Sequence, residues 1–154
     1  QQDFVLIQFK IGDRCLIADP DGDVHSTSTC APDDPKQQWE VFEDGSRYGF
    51  RNKELDACLS QSGGLIGPWN VVTESCDGSG QQKWSIETYD QGGLDAAWPI
   101  RLHNKADDFC IYTDYTGWVY GTIVNCGLAG TENNRKIGLY WGGDFETEPY
   151  WPDP

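Results

Sequence analysis

The sequence predicts an all-β domain in which one four-stranded unit is written three times. The first observation is a repeated order. Cys15 to Cys30 is followed by Gln37-Gln38-Trp39, Cys58 to Cys76 by Gln82-Lys83-Trp84, and Cys110 to Cys126 by a polar run and Ile137. The second is punctuation: 18 Gly and 8 Pro separate short β-branched and aromatic runs, the pattern of strands joined by turns. The third is that no long stretch carries apolar residues at the helical period. The first cysteines of the units lie 43 and 52 residues apart, about the length of a four-strand repeat. One unit this small cannot bury its own apolar face, whereas three together share a core. The 154 residues suit one domain, which we place at 1–141 with units of about 4–45, 46–95 and 96–141.

In the first unit, Phe4 to Phe9 is a strand by its β-branched and aromatic content, and Cys15-Leu16-Ile17 begins a second. Asp19-Pro20-Asp21-Gly22 has turn chemistry, with Asp first, Pro second and Gly fourth. Val24 to Cys30 alternates and reads as a third strand. Ala31 to Lys36 is a Pro/Asp loop, and Trp39 to Phe42 is a fourth strand ended by Glu43-Asp44-Gly45. The second unit repeats the plan with Tyr48 to Arg51, Cys58-Leu59, a turn at Ser62-Gly63-Gly64, Val71 to Cys76, and Trp84 to Ile86. The third has Ile100 to His103, Cys110 to Tyr112, a turn at Asp114 to Gly117, Val119 to Cys126, and Ile137 to Trp141. Residues 142–154 break the pattern. They form an acidic, aromatic tail with three prolines, which cannot donate to a strand ladder. The tail is read either as a cap on one end of the domain or as a docking arm for a protein partner.

A net charge of −14 leaves no basic stripe to replace phosphate counterions, so nucleic acid is not an expected partner. Anionic membrane surfaces are disfavoured on the same ground. No stretch reads as a membrane span or a signal peptide. The start at Gln1-Gln2 fits a processed N-terminus as well as an arbitrary boundary. Six Cys with no C-x-x-C pair argue against structural zinc and for three disulfides in an oxidising, extracellular setting. Fifteen pairings are possible. The repeat selects Cys15–Cys30, Cys58–Cys76 and Cys110–Cys126, one per unit, each worth about 3 kcal/mol in the chain-entropy model.

Three units of this size, each with a cysteine pair and two of them with Gln-x-Trp, resemble the ricin B-type β-trefoil over about residues 4–141. The resemblance implies twelve strands with pseudo-threefold symmetry, six in a barrel and six in hairpins closing one end. It also implies that Trp39 and Trp84 are core residues, that Gln37 and Gln82 bond loop backbone, and that Ile137 takes the apolar slot in the third unit. In the family, an Asp two residues after the first Cys binds a galactose-type diol, with an aromatic ring often two residues before the second Cys. Here those positions hold Ile17, Ser60 and Tyr112, and Ser28, Glu74 and Val124. Binding in the family's usual way is therefore not expected.

The remaining binding candidates are Ser60, Trp69 and Asn70 in the second unit, and Tyr112, Asp114, Trp118 and Tyr120 in the third. Trp118 and Tyr120 share one strand face while Val119 takes the other. Either both rings are exposed, as sugar or protein contacts require, or they pack on Trp98, Phe109 or the tail. Asp19-Pro20-Asp21-Gly22-Asp23 resembles the start of a calcium loop, but the Glu needed twelve positions on is Cys30, and the turn explains the run. His25 and His103 lie in no catalytic motif. The expected function is thus a secreted, non-catalytic binding domain with no cofactor, recognising a glycan or glycoprotein. The alternative is a protein-binding trefoil, such as a protease inhibitor or a toxin or effector subunit, that has lost sugar binding.

Overall fold

The computed structural model describes residues 4–62, 69–88, 98–104, 106, 109–121 and 132–145. Six strands form a closed barrel. They are β1 (Val5–Phe9), β4 (Trp39–Asp44), β5 (Arg47–Asn52), β8 (Trp84–Thr88), β9 (Ile100–Asn104) and β13 (Ile137–Trp141). The ring runs β1–β4–β5–β8–β9–β13 and returns to β1, all antiparallel. Closure removes every free edge from this layer. Within each unit the first and fourth strands meet at one equivalent pair: Val5 with Trp39, Tyr48 with Trp84, and Ile100 with Ile137. The threefold plan read from the cysteines is thus present in the barrel register, and Ile137 occupies the tryptophan slot.

The core follows from the side chains at those pairs. Trp39 and Trp84 are wholly buried, and Ile137 joins them with Val5, Ile7, Phe9, Phe50, Ile100 and Leu102. Each indole donates its N–H to a second-strand carbonyl, Trp39 to Leu16 at 3.2 Å and Trp84 to Leu59 at 3.1 Å. A buried indole needs such a partner. The Gln two residues earlier clamps the preceding loop. Gln37 accepts from Ala31 N–H and donates to Thr29 C=O, and Gln82 does the same with Asp77 and Ser75. Both glutamines are structural, as the resemblance implied.

One short helical turn precedes the fourth strand in every unit: Pro35–Gln37, Gly80–Gln82, and α1 (Glu132–Arg135). The first starts at Asp34, whose carboxylate accepts from Lys36 N–H at 3.0 Å, with Pro35 next. Asp is a good N-cap and Pro a good first helical residue. The sequence pattern had shown the first of these only as a Pro/Asp loop and the third only as a polar run.

The remaining strands form hairpins. They are β2 (Cys15–Ala18) with β3 (Val24–Thr27), β6 (Ala57–Ser62) with β7 (Trp69–Glu74), and β11 (Tyr112–Thr113) with β12 (Val119–Gly121). β10 (Phe109–Cys110) pairs with β9, which makes thirteen strands among the described residues rather than twelve. The split occurs at Ile111, which is wholly buried and donates its N–H to Leu102 C=O at 2.9 Å. The third strand of the first unit ends at Thr27, short of Cys30, because the Thr27 hydroxyl accepts from Thr29 N–H and turns the chain. The turn at Asp19 closes as expected, Gly22 N–H donating to Asp19 C=O at 2.9 Å, and Gly117 N–H does likewise to Asp114 at 3.0 Å.

The hairpins are interlocked by their turns. Gly22 C=O accepts from Thr73 N–H of the second hairpin, and Gly117 C=O accepts from Ser26 N–H of the first. A Cβ on Gly117 would stand 2.9 Å from Ser26 O, and its φ is +91°, so this position requires glycine. Cys15–Cys30 and Cys58–Cys76 are formed. Cys110 is also disulfide-bonded, and its expected partner Cys126 lies outside the described residues. So do Val124, the turn at Gly63-Gly64 and the tail beyond Phe145. The start of the tail folds back, with Gly142 N–H donating to Phe4 C=O and Phe145 edge-on to Tyr140 at 5.0 Å.

Candidate functional site

Strand register decides which candidate side chains meet. The third strands carry an equivalent buried valine: Val24 opposite Ala18, Val71 opposite Gln61, and Val119 opposite Thr113. The residue just before each valine is Asp23, Asn70 or Trp118. These three are therefore related by the pseudo-threefold axis. Each bridges to the next hairpin: Asp23 to Val72, Asn70 to Tyr120, and Trp118 to His25. A cleft of about 230 Å³ opens where the hairpins converge, lined by Asp19, Asp23, Val24, Asn70, Val71, Trp118 and Val119.

Trp118 forms its aromatic wall. It is 48% exposed while Val119 is buried, so the strand turns Trp118 outward and leaves Tyr120 half-buried beside it. Trp118 stacks on Tyr120 at 4.1 Å, and Tyr120 lies 4.8 Å from Tyr112. Trp98 lies elsewhere, under the Lys10 ammonium. The Tyr120 hydroxyl is pushed up to about 12, first by burial, then by the charge of Tyr112, a hydrogen bond to Tyr112 and the Asp114 carboxylate. The three rings form a braced ladder whose outer member is Trp118.

The polar groups divide into committed and uncommitted ones. Asp19 holds His25 Nδ1 at 2.9 Å, and Asp21 accepts from Asp23 N–H at 3.0 Å. Asp114 accepts from the Thr116 N–H and hydroxyl, so it shapes its turn. The calcium-like run is thus engaged in turn geometry. By contrast, the Asp23 carboxylate and the Asn70 amide are exposed and have no side-chain hydrogen bond among the described residues.

Of the sequence candidates, Asn70, Trp118, Tyr120 and Tyr112 come together. Asp114 sits beside them as a turn residue. Ser60 does not join: it is wholly buried and its hydroxyl donates to Gln61 C=O at 3.3 Å, so it offers nothing to a ligand. Trp69 opens β7 opposite Gly121, and its side chain lies outside what the structure describes. The sequence offered Asp19 and Asp23 only as part of a turn and calcium-like run, not as ligand contacts. The signal for Asp23 in the sequence is the position before the third-strand valine, which it shares with Asn70 and Trp118. A second cleft, of about 220 Å³ between Phe4, Glu40, Arg51, Asn52, Lys53 and Asp56, has its charges engaged: Arg51 pairs with Glu40 and Asp56, and Lys53 lies over the Phe4 ring.

The closed barrel, the three interlocked hairpins and the Gln-x-Trp clamps agree with a family match: the ricin-type beta-trefoil lectin domain, over residues 4–84. The chain belongs to this family. No curated protein matches the chain. Among solved structures, the designed threefold-symmetric protein ThreeFoil is similar at a TM-score of 0.72 and 15% identity, covering 90% of this chain and 98% of that one. A salivary protein from Culex quiquefasciatus of the cysteine and tryptophan-rich family is similar at 0.67 and 17%, covering 91% and 94%. At these identities the likenesses establish the β-trefoil fold alone.

Proposed function

We propose that this chain is a secreted, non-catalytic domain that recognises a glycan or glycoprotein through the surface side chains of its second and third hairpins. The observation that carries this reading is Trp118. It is a half-exposed indole, braced from behind by Tyr120, on the rim of a cleft with uncommitted polar groups. Sugars suit that combination, because their C–H faces pack on an aromatic ring while carboxylate and amide groups take the hydroxyls. Membership of a lectin domain family supports the ligand class, and the disulfides support an extracellular setting. The family's own acidic position holds Ile17, Ser60 and Tyr112 in this chain, so the sugar is met by other residues.

The test is a glycan array at neutral pH, with and without calcium, on the wild type and on Trp118→Ala. Binding to a defined set of glycans that falls at least tenfold in the variant supports the reading. Binding to cells that survives both competing saccharide and glycosidase treatment would point to a protein partner instead, and silence on the whole array would sink the glycan reading.

A further inference from the structure

We infer that the ligand sits on the pseudo-threefold axis, one per chain, and is a single sugar ring without an anionic group. This rests on the glycan reading above but goes beyond it, since it places one shared site at the junction of the units instead of one site in each. The axial cleft contains a complete symmetry-related set, Asp23, Asn70 and Trp118, standing on Val24, Val71 and Val119. Symmetry brings the three positions together, and their side chains differ: a carboxylate, an amide and an indole. An acceptor, a two-way hydrogen-bonding group and an apolar platform are what a pyranose ring needs on its several faces. A site assembled from one residue of each unit can exist only once per chain.

Size and charge narrow the ligand. About 230 Å³ falls below the roughly 300 Å³ at which pockets for drug-sized molecules begin, so the cleft holds one ring and leaves the rest of a glycan outside. Asp19 and Asp23 both line it; the neighbouring His25 imidazole is bonded to Asp19, and the Arg14 guanidinium at the same junction is bonded to the Ser26 hydroxyl and carbonyl. Two carboxylates repel a sugar acid and accept from hydroxyls, and the chain's charge of −14 adds to this. Trp118 is held by its stack on Tyr120 before any ligand arrives, which limits the ordering cost of binding.

The experiment is a titration of the ¹⁵N-labelled full chain with methyl α-galactoside, methyl α-mannoside, methyl β-glucoside and N-acetylneuraminic acid, following backbone, indole and side-chain amide signals. We expect one neutral glycoside to shift the Trp118 indole and Asn70 side-chain amide along a single saturation curve with one equivalent bound. Asp23→Asn, Asn70→Ala and Trp118→Ala should each weaken it at least tenfold, although the three residues belong to three different units. N-acetylneuraminic acid should bind at least tenfold more weakly. If Trp118→Ala alone loses binding while Asn70→Ala and Asp23→Asn keep it, the axial site falls and the glycan reading stands. Two or three equivalents per chain, or equal affinity for the sugar acid, would overturn the inference in the same way. No shift with any of the sugars, together with a silent array, overturns both.

Discussion

The indole–carbonyl bonds of Trp39 and Trp84 allow the core to be tested one atom at a time. Trp84→Phe keeps an aromatic ring but removes the N–H that reaches Leu59 C=O at 3.1 Å. That carbonyl belongs to a wholly buried residue, so losing its partner should cost about 1–3 kcal/mol. The smaller ring adds a partial cavity, for a total of about 2–4 kcal/mol. Trp84→Ala would cost about 3–5 kcal/mol in cavity alone, a large share of a domain's usual total of about 5–15 kcal/mol. The Phe variant is therefore the informative one. Its equilibrium urea unfolding, followed by far-ultraviolet circular dichroism without reductant, should show a midpoint lower by about 1–2 M at an unchanged slope of about 2 kcal/mol per M. Ile137→Val provides the control, because the third unit has no donor at this position; it should cost only about 0.5–1.5 kcal/mol. A Trp84→Phe loss below about 0.5 kcal/mol would refute the assignment of this bond as a buried, unreplaced contact.

Three further outcomes follow from the same geometry. Glu87 accepts from Arg101 and His103 at 3.0 and 2.9 Å; burial opposes its charge, but these bonds and the two positive partners outweigh it and hold the carboxyl below its ordinary 4.5. A folded value below the unfolded one means its stabilisation is full above about pH 5 and fades as pH falls through the folded value, so the stability gap between wild type and Glu87→Gln in urea should shrink on acidification from pH 6 to 3. Gly117→Ala combines a φ of +91° with a Cβ 2.9 Å from Ser26 O and should lower stability by about 1–3 kcal/mol in thermal unfolding. Removing the second disulfide by Cys58→Ser with Cys76→Ser opens a link of sequence separation 18 and should cost about 3 kcal/mol in chemical denaturation; a loss near zero would mean the unfolded loop is already constrained.

Most of the fold was legible because cysteines, turn residues and Gln-x-Trp act locally. Asp19-Pro20-Asp21-Gly22 makes its turn from its own side chains and glycine, whatever surrounds it, and the buried indoles need their slots wherever the barrel closes. What escaped was set partly by strand pairing and partly by local bonds that the residue pattern does not announce. Ser60 occupies the family's ligand position by counting from Cys58, yet it lies buried on β6, which pairs with β7 from Cys58 to Ser62. The early end of β3 depends on one hydroxyl, that of Thr27. Asp13 and Asp56 adopt a left-handed φ of 52° two residues before the first cysteine of their units. Asp tolerates this conformation better than most side chains, and the repeated Asp-x-Cys spelling was a usable signal. Asp23 was hidden by a sufficient explanation, since the turn accounted for its whole neighbourhood.

The contrast between barrel and hairpins bears on where side-chain chemistry is free to vary. Barrel positions are constrained from all three units at once, because Trp39, Trp84 and Ile137 fill one common core with Val5 and Ile100. A change in one unit must be absorbed by the others, so side-chain chemistry there stays apolar around the ring. The positions before the third-strand valines are held in place by backbone alone, through the bridges Asp23 to Val72, Asn70 to Tyr120 and Trp118 to His25. Their side chains point to no shared core and are free to differ without cost to the register. Symmetry therefore fixes a place at which three different chemical groups converge, while leaving open which groups they are. Asp23, Asn70 and Trp118 differ from one another at equivalent positions on that axis, and a difference the fold does not need is where selection for a ligand would act.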